Sequence, residues 1–352
     1  MNNHPFLAGL RQSPDYFLQN LDLVNRRGLV VRIDRDTYRQ AAFLDQRMFI
    51  SDTQCAWVPL NTLLQATSGL PTRTTHYIFH IGHCGSTLLS RLLAELSGCL
   101  TLREPLAFLT LAMAQRELGL PDSRLDASRW QDLFEMVLRL QARGYSDSDI
   151  VLIKSTSVAG NLLQPVLVTQ PDSRVILLYM DLETWLTTML RASGPRESVR
   201  AFASAWLTDF RQLTGDVSIE LHTLDDIRQA VIGWTTMLLG FTRAATRQPG
   251  RTHWLNFDEF LRKPASHCKL LTEFLALPAN DAKIETLTTG PIMGRNAKDP
   301  RQDFDTNVHA RELAAARQRF DPEIRTGMRW FEELTQRIPS LSELGPGQQV
   351  PE

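Results

Sequence analysis

With 38 lysines and arginines against 39 aspartates and glutamates, the 352-residue chain carries almost no excess charge of either sign. That balance excludes a global field able to recruit nucleic acid or an anionic membrane surface, so any recognition of an anion has to be local. Cysteine is scarce. Cys55, Cys84, Cys99 and Cys268 are scattered, with no CxxC pair and no secretory framework, which fits reduced thiols in a cytosolic setting. Apolar runs are short, and none reaches the roughly 20 residues that span a bilayer. The start, Met1 to Phe6, lacks the charged and apolar regions of a signal peptide. These absences read as a cytoplasmic protein without an integral membrane segment. No internal repeat is visible, and the length allows one large α/β domain with appendages or two small domains.

What is present is concentrated first in His76 to Arg91. An apolar run, Tyr77 to Ile81, reads as a buried parallel strand. Gly82-His83-Cys84-Gly85 reads as a tight turn, and Ser86-Thr87 opens a helix to about Leu96. A turn with two glycines lets backbone approach an anion, and the unpaired N–H groups and dipole at the helix start hold negative charge. Ser86 and Thr87 add hydroxyl donors. A nucleotide-triphosphatase loop, GxxxxGK[ST], would require glycine at His80 and lysine at Ser86, so an ordinary ATP or GTP site is disfavoured. Cys84 stands where a thiol can become a nucleophile, but the commoner outcome is a small buried thiol. His80, His83 and Cys84 fit no standard zinc spacing, and no metal is expected.

Further apolar runs, Ile150 to Ile153, Val175 to Tyr179 and His253 to Phe257, alternate with helical segments, which implies βαβ units and a mostly parallel sheet covered on both faces. Ligands in such sheets sit at the carboxyl ends of the strands, where the first loop lies. A long helical region covers about 106–143 with a break at Pro121. Before residue 73 the chain reads as a helical stretch from Tyr16 to Asn25, a β-branched run from Gly28 to Ile33 and a helical stretch containing Phe43 to Arg47. Three C-terminal helices are expected, at Lys269 to Leu275, Ala310 to Arg319 and Arg325 to Arg337. The domain reading is an N-terminal extension at 1–72 packed on a main domain at 73–338, with a flexible tail at 339–352.

The loop Gly82 to Thr87 resembles that of the sulfotransferase family, usually written P-[KR]-S-G-T-T, which takes the 5'-phosphosulfate end of 3'-phosphoadenosine 5'-phosphosulfate (PAPS). Other segments follow in the family's order, over about residues 76–335. Leu102-Arg103-Glu104-Pro105 lies where many bacterial and protein-tyrosine sulfotransferases carry a glutamate, which makes Glu104 the candidate general base; otherwise it pairs with Arg103 or caps a helix. Ile153-Lys154-Ser155-Thr156 is similar to the family's Lys-Thr-His stretch. By that resemblance Lys154 contacts the transferring group, while Thr156 replaces the histidine base. A lysine at a buried strand end is costly unless its charge meets an anion; the other reading is a surface lysine at a fraying end.

Met180 to Thr188 resembles the segment that holds the 3'-phosphate, with Thr188 at the serine position but Met180 where the family has arginine. Arg191, one helical turn on, is either a substitute cation or a solvated arginine. Trp254 to Leu277 resembles the family's [YF]-E-D-L…P…F-L-G-L segment. Met293 to Lys298 sits where the family has a basic glycine-containing loop over the nucleotide, so Arg295 and Lys298 are phosphate contacts by resemblance or a solvated basic loop. His83 takes the family's lysine or arginine position, where an imidazolium would offset charge on the bridging oxygen.

The resemblance implies an α/β, P-loop-type, mostly parallel sheet flanked by helices, with a small N-terminal α+β extension. The implied activity is bacterial-type, PAPS-dependent sulfuryl transfer to a hydroxyl or amine of a small-molecule, glycan or lipid acceptor, with PAP as product and no nucleic-acid partner. A nucleotide-dependent kinase or NTPase, or a non-catalytic nucleotide-binding protein on the same fold, remain the alternatives.

Overall fold

The computed structural model describes residues 5–49, 52–71, 73–146, 149–299 and 301–345. Tyr16 to Asn25, expected as a helix, is instead strand β1 (Tyr16–Asp22) and the start of a hairpin turn. It pairs antiparallel with β2 (Arg27–Arg32), which pairs with β3 (Cys55–Pro59). The reason is an irregularity in the β1 register between Leu18 and Asn20. A bulge breaks the period-two alternation, so the apolar spacing imitates a helical one. Phe43 to Arg47 is also not an α-helix. The helix ends earlier, at Arg35–Gln40, started by Asp34 accepting from the Thr37 N–H. Residues 41–45 form an irregular strap that leads into a 3₁₀ turn, Gln46–Met48.

The main sheet has five parallel strands: β4 (Thr75–His80), β5 (Leu100–Arg103), β6 (Val151–Lys154), β7 (Val175–Tyr179) and β8 (Thr252–Asn256). Their order is β5-β6-β4-β7-β8. The chain leaves β4 toward β5 on one side and later crosses to β7 on the other. The carboxyl end of β4 is therefore the point where the winding reverses, the expected place for a ligand crevice. β5 escaped the sequence reading because only Leu100 and Leu102 of its four residues are apolar, yet all four are buried.

Flanking helices include Ser86–Ser97 after β4, Leu106–Glu117 and Ala127–Gln141 after β5, and Leu182–Arg191 after β7. The two after β5 also pack on β1, so one apolar core runs from Phe17 and Val30 through Phe108 and Phe134 to Tyr77 and Phe79. The C-terminal helices are Pro264–Phe274, Thr306–Arg319 and Asp321–Arg337, with a further short one, Asp281–Thr288, between the first two. Of the segment read as a tail, 339–343 forms a 3₁₀ turn with Leu341 buried, while 346–352 and the chain start, 1–4, lie outside the described residues. Among the described residues no helix is long and apolar enough to cross a membrane.

Candidate functional site

The turn after β4 is built from left-handed backbone: Gly82, His83 and Gly85 have φ of +80°, +52° and +76°. Glycine tolerates this region, whereas His83 holds it under strain. Neighbouring strands fix the turn. The Gly82 N–H donates to His80 Nδ1 at 3.0 Å, and His80 Nε2–H donates to the Ser155 carbonyl at 2.9 Å, joining the ends of β4 and β6. Trp185 Nε1 donates to the Gly82 carbonyl at 3.0 Å. With that carbonyl occupied, the turn presents its backbone donors where the helix Ser86–Ser97 begins.

The parallel register supplies the second half. Arg103 pairs with Lys154 between β5 and β6, and the Glu104 N–H donates to the Lys154 carbonyl at 2.8 Å. Although 50 residues apart in sequence, the two side chains meet, and Lys154 Nζ donates to Glu104 Oε1 in an ion pair. The Lys154 side chain is 1% exposed and that of Glu104 22%. Lys154 is thus a buried ammonium rather than a surface lysine. Burial pushes its pKa down and the Glu104 carboxylate opposes that push. Glu104 pairs with Lys154 and not with Arg103, and it adopts φ +56°, a second strained backbone at a strand end.

Both groups open on a cavity of about 870 Å³ that also takes in Gly82, His83, Gly85, Ser86, Thr87, Thr188, Arg191, Arg295 and Lys298. Cys84 does not line it. Its thiol is fully buried, faces the Leu178 carbonyl, and is pushed up to about 12 by burial, so it is no thiolate nucleophile. Met180 is 1% exposed and its carbonyl accepts from Trp234 Nε1, which rules its side chain out of anion contact. Arg191 lies 3.4 Å from Glu312 and 3.3 Å from His309 on the cavity wall. Thr188 Oγ1 donates to the Thr184 carbonyl.

The imidazolium role expected of His83 needs correction. Burial first, then Lys298 and Lys154, push His83 down to about 4, so near neutral pH it is an uncharged imidazole. The cations that line the cavity are Lys154, Arg47, Arg191 and the loop residues Arg295 and Lys298.

Sequence reading missed the strap. Phe43, Asp45 and Arg47 line the same cavity. The Phe43 ring has three cations around it, with Arg47 Cζ 3.8 Å, Lys154 Nζ 5.3 Å and Lys298 Nζ 5.9 Å from its centroid. The available signal was the pair Asp34 and Asp45, each capping a short turn and so breaking the longer helix otherwise read there.

His76 and His83 are both pushed down to about 4, and His80 well below 6.5, by burial as the leading cause. Groups that must stay neutral when folded but protonate when unfolded add stability above about pH 6.5 that is lost as pH falls toward 4. The midpoint of thermal unfolding should therefore fall steadily between pH 6.5 and 5, before most carboxylates titrate, and be flat from 6.5 to 8. A midpoint constant across both ranges contradicts neutral buried imidazoles.

No protein-family model matches the sequence, and none of the curated proteins matches it. Among solved structures, the chain is similar to the sulfotransferase domain from the curacin biosynthetic pathway, with 16% identity over 71% of this chain and 99% of that one and a TM-score of 0.41. It is similar to sulfotransferase STF9 from Mycobacterium avium, with 14% identity, 74% and 81% coverage and a TM-score of 0.41. A third is the mouse sulfotransferase SULT7A1 complexed with PAP, with 15% identity, 78% and 88% coverage and a TM-score of 0.40. Overlaps of this size leave the case for function to the chain's own residues.

Proposed function

We propose that this protein transfers a sulfuryl group from PAPS to a hydroxyl or amine. The observation that carries the reading is the convergence, in one cavity, of a left-handed backbone turn at the head of a helix with the Lys154–Glu104 pair. A donor phosphosulfate lies against the turn from Gly82 to Thr87, where N–H groups and the helix dipole favour its charge. Lys154 faces the sulfuryl oxygens and stabilises charge as the bond from sulfur to the bridging phosphate oxygen breaks. The acceptor oxygen or nitrogen forms the new bond to sulfur and loses its proton to Glu104, leaving PAP. His83 contributes a neutral hydrogen bond. Thr188 and Arg191, with the loop bearing Arg295 and Lys298, take the 3'-phosphate in place of the arginine that Met180 replaces. Leu106, Leu109, Val199 and Phe202 give the cavity an apolar wall suited to the body of the acceptor.

An intact Glu104–Lys154 pair argues against a decayed, non-catalytic site. Asp181, the carboxylate after β7, accepts from Asn256 at 3.2 Å and does not line the cavity, which leaves the kinase reading without a carboxylate on this strand. Thermal-shift titrations should give selective stabilisation by PAP over 5'-AMP and over ATP with magnesium, rising with ligand excess to about 2.7 kcal/mol at a hundredfold over Kd. Preference for ATP with magnesium rejects the proposal.

A further inference from the structure

Beside the main cavity lies a second pocket of about 240 Å³ between the helix Ser86–Ser97, the end of β5, the helix Arg35–Gln40 and the 291–297 loop. Four arginines line it, Arg39, Arg91, Arg103 and Arg295, against a single carboxylate, Glu95. Glu95 is engaged by Arg39, with two bonds of 3.0 Å. Arg103 is 1% exposed and forms no ion pair with any described residue. Its Nε donates to Ser90 Oγ and its Nη1 to the carbonyls of Tyr38, Arg39 and Ala41, and Nη2 has no hydrogen-bond partner among the described residues. Arg91 is likewise bonded only to carbonyls, from Nε to Ala297 at 2.9 Å and from Nη2 to Gln40 at 2.8 Å. Burial and the charge of Arg91 push Arg103 down to about 10. Arg103 is withdrawn from water and Arg91 beside it is half-buried, and the one opposing charge in the pocket, Glu95, is already held by Arg39. Such a positive surplus is costly, and an anion is the partner its geometry suits, since the planar fork matches an oxyanion.

We propose that this pocket binds a phosphate or sulfate group, held by Arg39, Arg91 and Arg103, at a site separate from the turn after β4. Arg91 ties the end of the helix that leads into the strap, through Gln40, to the loop bearing Lys298, through Ala297, so an occupied pocket holds both walls of the main cavity mouth in place. The proposal does not depend on the reaction assigned to the main cavity. The same chemistry arrives either as a free ion or as the anionic end of a larger molecule.

The test is calorimetric titration of the full-length protein with inorganic phosphate, and separately with glucose 6-phosphate, at ionic strength held constant with sodium chloride. Arg39→Glu should weaken phosphate binding at least tenfold, and Glu95→Gln, which removes the one carboxylate, should tighten it severalfold. A variant that merely loosened the fold would not tighten binding. Lys298→Glu, on the other cavity, should leave this binding unchanged. Glucose 6-phosphate following the same pattern identifies the group as the end of a larger molecule, and phosphate alone following it identifies a free ion. Absence of saturable binding at 10 mM, on the order of the weakest affinity of interest, overturns the proposal. So does binding that ignores Arg39→Glu or vanishes in Lys298→Glu.

Discussion

Glu104→Gln should lower the rate of sulfuryl transfer by about 10²–10⁴-fold, the range that a positioned general base contributes, while leaving PAP affinity near pH 7 within a few fold. The amide keeps an oxygen to accept from Lys154 Nζ, so the ammonium retains its hydrogen bond in the buried corner between β5 and β6. What it loses is the carboxylate that opposes the downward push of burial on Lys154. The lysine therefore sheds its proton at lower pH in the variant than in the parent. PAP binding should accordingly begin to weaken at lower pH in Glu104→Gln than in the parent. Single-turnover transfer and calorimetry across pH 6.5–9 separate the two roles. A rate loss with intact binding at pH 7 makes Glu104 the proton acceptor. Loss of binding at pH 7 makes it the residue that keeps Lys154 charged. A rate within tenfold of the parent removes it from both.

That pairing shows where sequence reading stopped. Motif resemblance points to Lys154 and to Glu104 separately, but nothing in the local pattern places one against the other. Their contact depends on the register in which Arg103 faces Lys154, and β5, with two apolar residues in four, carries too little pattern to read as a strand. The turn after β4 was legible because its cause is local: six buried residues, then glycines where φ is positive, then a helix start. β1 was misread for an equally local reason, since the irregularity between Leu18 and Asn20 shifts its apolar spacing out of period two. The neutral state of His83 was out of reach, because it comes from burial and from Lys298 and Lys154, which approach from distant segments. The strap was missed on both counts. Phe43 and Arg47 reach the cavity through an irregular segment held by carbonyl bonds to Arg91 and Arg103 and by the Leu44 N–H donating to the Arg103 carbonyl at 2.7 Å.

Gly85→Ala should be the most damaging small substitution in the turn. Gly85 has φ +76°, where a side chain costs roughly 1–2 kcal/mol. A Cβ built there would lie 1.9 Å from Cε2 of Phe257. Phe257 is 6% exposed and its ring stacks on Phe260, with centroids 6.1 Å apart and planes 18° from parallel, so it has little room to retreat. Overpacking of this kind adds roughly 1–3 kcal/mol, which gives a total of about 2–5 kcal/mol. Gly82→Ala is the control. Its φ is similar at +80°, but the new Cβ meets only Ser157, with Oγ at 3.1 Å and Cβ at 3.3 Å, a mild crowding beside the 1.9 Å clash at Gly85. Its cost should stay near the backbone penalty alone, roughly 1–2 kcal/mol. Denaturant unfolding of both variants reads the difference directly. Adding Phe257→Leu to Gly85→Ala should then recover part of the loss, with a favourable coupling of about 1–3 kcal/mol. If the double variant is simply additive, Phe257 is not what confines the turn. Equal costs for the two glycines would mean that backbone strain alone sets its shape. Recovery by Phe257→Leu would instead tie the anion-facing backbone to the aromatic pair at the end of β8, a contact that neither segment shows on its own.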